Sequence, residues 1–123
     1  MAETAKIAIV DDDQDIREAI TTLVETVGLR AEGFASAEEF LSSPQAQDSA
    51  CLLLDVRMPG MSGLELQRQL GVTHGRIPII FITAYADEHM RARALAAGAV
   101  AVLSKPCRED DLLQAIEAAL KQA

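Results

Sequence analysis

Five residues that could carry chemistry each stand at or just beyond the end of a short apolar run. They are Asp11, Asp12, Asp55, Thr83 and Lys105. Short apolar or β-branched runs bounded by turn residues predict strands, and the run before Asp55 is apolar enough for a strand buried on both faces. Open parallel sheets place their chemistry at the carboxyl ends of their strands. If every crossover is right-handed, we expect all five side chains at one rim of the sheet.

The types of these residues indicate phosphate chemistry assisted by a divalent cation. Three carboxylates held close together repel, and a raised pKa or a bound cation relieves the repulsion. Oxygen ligands suit Mg²⁺ or Mn²⁺ and suit zinc poorly. With Lys105 as a fixed cation and Thr83 as a hydroxyl donor, Asp55 becomes a candidate nucleophile toward phosphorus. Each residue alone has an ordinary structural role, such as helix capping, and only their joint placement favours the chemical interpretation.

Strand and helix patterns alternate along the whole chain and must position these residues. Predicted strands cover residues 6–10, 30–34, 50–54, 79–83 and 99–103. Predicted helices cover residues 14–27, 64–70, 87–97 and 109–121. A capping-box pair, Ser36 and Glu39, opens a further short helix that runs through Leu41 and that Pro44 ends. Residues 42–49 indicate a surface connection. This alternation predicts an α/β fold with an open parallel sheet covered on both faces.

Length and composition predict one domain, residues 1–123. Half of the 123 residues are apolar, enough for a single core. The 19 acidic and 11 basic residues give a formal charge of −8, which argues against broad contact with nucleic-acid phosphates. No apolar run approaches the ~20 residues that span a bilayer, and the first residues lack a signal-peptide pattern, so we expect a cytoplasmic protein without membrane contact. Cys51 and Cys107 fit neither a disulfide framework nor a zinc site and are expected to be free thiols.

Four segments of the sequence resemble the receiver domain of bacterial two-component response regulators. They are Val-Asp-Asp-Asp at 10–13, Leu-Leu-Leu-Asp-Val-Arg-Met-Pro-Gly-Met-Ser-Gly at 52–63, Ile-Thr-Ala at 82–84 and Ser-Lys-Pro at 104–106. The likeness runs from Lys6 to the last helix in order and spacing. The segment after Asp55 is similar to receivers of nitrogen-fixation regulators with helix-turn-helix output domains. The resemblance implies a single flavodoxin-like (βα)₅ domain, doubly wound, with strand order 2-1-3-4-5.

The resemblance also implies a role for each site residue. Asp55 would accept a phosphoryl group from a sensor histidine kinase, and Thr83 and Lys105 would hold that group. The ligands of Mg²⁺ would be Asp12, Asp55, the main-chain carbonyl of Arg57 and, directly or through water, Asp11. The bond between Lys105 and Pro106 would be cis. The domain would be a regulatory phosphoacceptor and not an enzyme, controlling a DNA-binding domain outside this chain and dimerising through its fourth helix, fifth strand and fifth helix.

Three positions concern how the signal is read and how long it lasts. Val102 stands where receivers commonly carry an aromatic ring that moves inward, so we expect switching to depend on residues 83–87 and the helix after them. Arg57 and Tyr85, each two residues beyond a site residue, are expected to lie near the phosphoryl group and to affect its lifetime. His74 and His89 each stand alone and are expected to be surface residues.

Three other interpretations of the sequence compete with the receiver. A Mg²⁺-dependent aspartyl-phosphate phosphatase would need a second acid two residues after the nucleophile, where this chain has Arg57. A flavin carrier of the same fold would need Ser, Thr and Gly after the first strand, where this chain has Asp11, Asp12 and Asp13. A non-phosphorylated interaction module would not need the five site residues together.

Overall fold

The computed structural model describes residues 5–73 and 77–122, which build one parallel sheet flanked by helices. The strands are β1 Lys6–Val10, β2 Arg30–Phe34, β3 Cys51–Leu54, β4 Ile79–Thr83 and β5 Ala101–Ser104. Their order across the sheet is β2-β1-β3-β4-β5, as predicted. Strands β3 and β4 are buried along their whole length, as their continuous apolar runs require, whereas the more polar β2 forms an edge.

Five helices follow the strands in turn. They are α1 Gln14–Thr26, α2 Ala37–Leu41, α3 Gly63–Thr73, α4 Glu88–Ala96 and α5 Glu109–Gln122. Side chains of Asp13, Ser36 and Asp87 accept hydrogen bonds from N–H groups in the first turns of α1, α2 and α4. Ser62 and Glu65 form a reciprocal capping box at the start of α3, which the sequence reasoning missed. None of the described helices is long and apolar enough to cross a membrane.

The helices cover the two faces of the sheet and divide the core into two clusters. On one face α2, α3 and α4 contribute Phe40, Leu66 and Ala94, and the Phe40 ring meets Phe34 edge-on with centroids 5.5 Å apart. On the other face α1 and α5 contribute Val24, Leu112 and Ile116. Because both faces are covered, the carboxyl ends of the inner strands are left at an open rim of the sheet.

The structure differs from the sequence prediction in three places. Strand β5 begins at Ala101 and not at Ala99, because the N–H groups of Gly98 and Ala99 bond to carbonyls of α4 and end that helix. Helix α3 continues past Gly71 to Thr73. The segment 42–49 is only partly a surface connection, since Ala46 and Ser49 are buried around a single 3₁₀ turn.

Both cysteines are free thiols, as predicted. Cys51 is fully buried at the start of β3, and desolvation raises the pKa of its thiol to about 12. Cys107 lies just beyond the end of β5 and is partly exposed. Burial also raises the pKa of the Cys107 thiol.

Gly63, the first residue of α3, lies against the backbone that carries Asp55. A Cβ atom at this position would overlap the Asp55 carbonyl oxygen and would come within 3.1 Å of the Val56 Cα. The Gly63 N–H donates to the Val56 carbonyl at 2.9 Å. Because the obstacle is backbone, no side-chain movement relieves it, so glycine allows α3 to start this close to the site. Gly71, later in the same helix, faces open space, since a Cβ atom added there would meet no neighbour within 4 Å.

We predict opposite effects of alanine at these two glycines. Gly63→Ala should lower the free energy of unfolding by about 1–3 kcal/mol, because the backbone must shift to relieve the overlap. Gly71→Ala should raise it by about 0.5–1 kcal/mol, because alanine is the better helix former and meets no neighbour. Urea unfolding followed by circular dichroism measures both changes. Effects of the same sign and size would contradict the close approach at Gly63.

Candidate functional site

Asp11 and Asp12 lie in the turn between β1 and α1, at the rim of the sheet. Asp12 is exposed, whereas Asp11 is only 3 % exposed. The Oδ1 atom of Asp11 accepts a hydrogen bond from the Asp13 N–H at 2.9 Å, and the Asp11 N–H donates to the Phe34 carbonyl at 3.1 Å. These bonds hold the Asp11 carboxylate in place and leave its Oδ2 atom for another partner.

Asp55 follows β3, the central strand, and is 8 % exposed. Its N–H donates to the Val10 carbonyl at 3.0 Å and so continues the pairing of β3 with β1. Its Oδ1 atom accepts from the Val56 N–H at 2.7 Å. One oxygen of this buried carboxylate is therefore held by a neutral amide, and the other lies free of the backbone.

Lys105 bridges the two buried carboxylates. Its Nζ donates to the Asp11 Oδ2 at 2.8 Å and to the Asp55 Oδ2 at 3.0 Å. The Lys105 N–H donates to the Thr83 carbonyl at 2.9 Å, and the Lys105–Pro106 peptide bond is cis, as the resemblance implied. Burial by itself would lower the pKa of Lys105, but the hydrogen bonds and Coulomb attraction of Asp11 and Asp55 outweigh it and raise that pKa.

Thr83 closes β4 and is fully buried. Its Oγ1 accepts a hydrogen bond from the Tyr85 N–H at 3.1 Å. No hydrogen bond among the described residues joins the Thr83 hydroxyl to Asp55 or Lys105. The structure thus places Thr83 at the predicted rim, next to Lys105 through the backbone, while its hydroxyl is engaged by the following turn.

The three carboxylates satisfy the basic requirement of a divalent-cation site. One oxygen each of Asp11, Asp12 and Asp55 lies within 4.8 Å of the others, close enough to ligate one ion. Two of the carboxylates are buried, and an all-oxygen donor set of this charge suits Mg²⁺ or Mn²⁺. The side chains present therefore fit the predicted cation.

The side chains of Arg57, in the loop after β3, and Tyr85, in the loop after β4, contact each other. The Arg57 guanidinium carbon lies 4.1 Å from the centroid of the Tyr85 ring, a cation–π contact. Arg57 is exposed and Tyr85 is 56 % exposed. The two residues predicted to affect the phosphoryl lifetime are thus in contact with each other and link the loop after Asp55 to the loop after Thr83.

Arg17 is a site residue that the sequence reasoning missed. It lies in the second turn of α1, and its Nη1 donates to the Asp11 carbonyl at 2.7 Å. The side chain passes alongside Gly33 of β2, where a Cβ would be in ordinary van der Waals contact, 3.5 Å from the Arg17 Cδ. This bond holds the acidic turn from the main-chain side. The signal in the sequence is a cation on the predicted first helix, six residues after Asp11.

Val102 is buried in the cluster beneath α4, and its carbonyl accepts a hydrogen bond of 2.6 Å from Arg91 Nη1. The position expected to carry a mobile ring is therefore a packed aliphatic residue tied to α4 through its main chain. His89 is exposed on α4, as predicted. His74 lies outside the described residues.

This fold is that of receiver domains. A family model for the response regulator receiver domain matches residues 7–117. The chain belongs to this family.

Individual relatives agree with this assignment. Response regulator protein TodT of Pseudomonas putida is 50% identical over 117 residues, which are 95% of this chain and 52% of TodT. Transcriptional regulatory protein FixJ of Azorhizobium caulinodans is 34% identical over 120 residues, which are 98% of this chain and 57% of FixJ. A solved structure of response regulator StyR has a TM-score of 0.88 at 44% identity, covering 97% of this chain and 60% of StyR. The chain spans about half the length of the curated relatives.

We predict that Lys105→Met destabilises the fold in a pH-dependent way. The variant leaves two buried carboxylates facing each other without their cation, so its free energy of unfolding should fall by roughly 1–3 kcal/mol near neutral pH. The folded pKa of Lys105 is raised, so its contribution is present below its ordinary pKa of 10.5 and is lost as pH rises through the higher folded value. The difference from wild type should therefore be constant between pH 7 and about 9.5 and should shrink above about 10.5.

Urea unfolding at pH 7, 9 and about 11 measures this difference. Lys121→Met is the matched control, because Lys121 pairs with Glu117 on the exposed surface of α5 and should contribute no measurable stability. A loss of equal size at all three pH values would show that Lys105 stabilises the fold by packing and not by its charge.

Proposed function

We propose that this chain is a phosphoacceptor domain in which Asp55 accepts a phosphoryl group from a sensor histidine kinase. The observation that carries the proposal is the Lys105 ammonium between two buried carboxylates, beside a third carboxylate that completes a cation-sized cluster. A carboxylate oxygen of Asp55 attacks phosphorus, the bond from phosphorus to the donor imidazole breaks, and the departing nitrogen takes up a proton. The product is an aspartyl phosphate, and the kinase histidine is regenerated.

The residues around Asp55 are suited to neutralise charge during this transfer. Lys105 holds a positive charge 3.0 Å from the Asp55 carboxylate, where it can pair with oxygens of the incoming group. The cation site would consist of Asp11, Asp12, Asp55 and the Arg57 main-chain carbonyl. A bound Mg²⁺ or Mn²⁺ supplies a Lewis acid for the phosphoryl oxygens. The Thr83 Oγ1 accepts from the Tyr85 N–H, and its O–H would donate a hydrogen bond to the phosphoryl group.

The role that follows is regulation and not metabolic turnover. Residues 1–123 would form the receiver, in the cytoplasm with its kinase, and a DNA-binding domain would lie outside this chain. The lengths of the relatives, about twice the matched segment, and the transcriptional role in FixJ's name support this assignment. Phosphorylation would also favour a homodimer through α4, β5 and α5. The −8 charge is consistent with contact to DNA only through the separate domain.

Incubation with acetyl phosphate and Mg²⁺ followed by intact-mass spectrometry tests the function. We expect the mass of one phosphoryl group to be added in wild type and not in Asp55→Asn, because the amide is not a nucleophile toward phosphorus. Asp110→Asn, at an exposed acid of α5, is the matched control and should be modified like wild type. Chelation of Mg²⁺ should abolish the reaction. Release of inorganic phosphate over multiple turnovers, without accumulation of the acyl phosphate, would favour the phosphatase. A wild-type chain that gains no phosphoryl group would favour the interaction module.

The Arg57–Tyr85 pair should prolong the life of the aspartyl phosphate. It bridges the two loops beside Asp55, and its loss would open the approach of water. An exposed cation–π contact contributes about 0.5–1 kcal/mol. In Tyr85→Ala and in Arg57→Ala, the aspartyl phosphate should therefore be hydrolysed about two- to fivefold faster than in wild type. Tyr85→Phe keeps the ring and should behave like wild type. The decay of phosphorylated protein measured by mass spectrometry decides this, and an unchanged rate in both alanine variants would remove the pair from the mechanism.

Switching is proposed to pass through residues 83–87 and α4, since Val102 provides no ring to relocate. The Thr83 hydroxyl holds the start of this loop through the Tyr85 N–H, and Arg91 ties α4 to β5. Movement of Thr83 toward a phosphoryl group would release the first contact and displace the helix. Amide chemical shifts of the phosphorylated protein should change most in residues 84–96. Shifts confined to the residues around Asp55 would argue against this route.

A further inference from the structure

A groove runs between α3 and α4, and none of the five site residues lines it. Its main cavity has a volume of about 520 Å³ and is bounded by residues of both helices, including Leu64, Gln67 and Ala97. A second cavity of about 100 Å³ shares Gln67 and Ala97 with the first and extends to Ile79, where β4 starts. The two cavities therefore form one continuous groove from the helix surface down to the sheet.

The groove is held open by its own residues. Gln67 is only 6 % exposed, and its Nε2 donates to the Ala94 carbonyl at 3.0 Å, so it fixes the separation of the two helices. Gly71 lines both cavities, and a Cβ atom there would have no neighbour within 4 Å. Glycine inside a helix is less stable than alanine, and neither a positive φ nor a close neighbour requires it here. Its effect on the structure is to deepen the groove.

The walls of the groove carry positive charge on an acidic protein. Arg68 of α3 and Arg93 of α4 line it from the two sides, and both are exposed. Within the described residues, neither arginine has a side-chain hydrogen bond or ion pair, and Arg68 is attracted by the Glu65 carboxylate of the same helix. In contrast, Arg17, Arg91 and Lys105 are engaged inside the fold. Two arginines thus remain available at one apolar groove.

We propose that this groove docks an acidic amphipathic helix of a partner protein. Carboxylates of the partner would pair with Arg68 and Arg93, and an apolar side chain between them would fill the space above Gly71. The charge of −8 disfavours a polyanion that would extend beyond the two arginines, such as a nucleic acid. A second copy could offer the acidic first turn of its α5, residues 109–111. That contact would be head-to-tail, so one copy would keep an empty groove and the other an unpaired α5 turn. The proposal goes beyond phosphoryl transfer and does not depend on it.

Nuclear magnetic resonance titration of the ¹⁵N-labelled chain tests the proposal. The probe is a synthetic helical peptide with glutamate pairs four residues apart flanking leucines, and its counterpart has glutamine at those positions. We expect shifts in amides of α3 and α4 around Gln67 and Arg93, and about tenfold weaker binding of the glutamine peptide, the effect of losing one charge-assisted hydrogen bond. The double variant Arg68→Gln, Arg93→Gln should lose this preference, whereas Arg30→Gln, at an exposed arginine of β2, should keep it.

A second variant separates docking from folding. Gly71→Leu fills the groove with a residue that favours helix, so it should unfold at the same or a higher temperature than wild type and yet lose peptide binding. No shifts at about 1 mM peptide, shifts centred on another surface, or equal binding of both peptides would overturn the proposal. Amide signals of the groove residues that broaden with protein concentration in the absence of peptide, and do so no longer in Arg93→Gln, would assign the groove to a second copy of the chain. That result would overturn the proposed partner helix.

Discussion

The contact of one ammonium with two buried carboxylates is the constraint on which this structure depends. Asp11, Asp55 and Lys105 come from three different strand ends, and the Lys105 Nζ reaches both acids only if those ends are level. The register of β1 with β3 pairs Val10 with Leu54 and so brings the next residue of each strand together. A shift of this register by one residue would point the side chain of one of these acids into the apolar core. The buried apolar runs of the strands prevent such a slip.

Buried charge of this kind is a poor means of stabilising a fold. Desolvation of two carboxylates and an ammonium offsets most of the attraction between them, and apolar residues of similar volume commonly do as well. The proposed function gives the arrangement a purpose, because the ammonium that balances the acids would also balance the charge of a phosphoryl group. The hydrogen bond of Arg17 to the Asp11 carbonyl and the close approach of Gly63 to the Asp55 backbone support the same geometry from outside the site.

The sequence was sufficient for the features that depend on local pattern. Apolar runs, the capping-box pair Ser36 and Glu39 and the order of the motifs predicted the sheet and the rim on which Asp11, Asp55 and Lys105 meet. Features that depend on the direction of long side chains could not be predicted this way. Arg17 turning back to Asp11 and Arg57 stacking on Tyr85 depend on which rotamers the folded neighbours allow. The burial of Ala46, in a segment of polar composition, required the packing of α2 to be known.

The different environments of the two cysteines allow a thiol-reactive dye to be attached at a single position of this receiver, Cys107. Thiolate is the form that reacts with alkylating dyes, and a pKa of about 12 leaves Cys51 almost entirely protonated and inaccessible within β3. Cys107 is partly exposed and lies two residues beyond Lys105, so a probe attached in the native state marks the edge of the acidic rim. Such a probe would add an optical signal to a chain without tryptophan, and no engineered residue is needed.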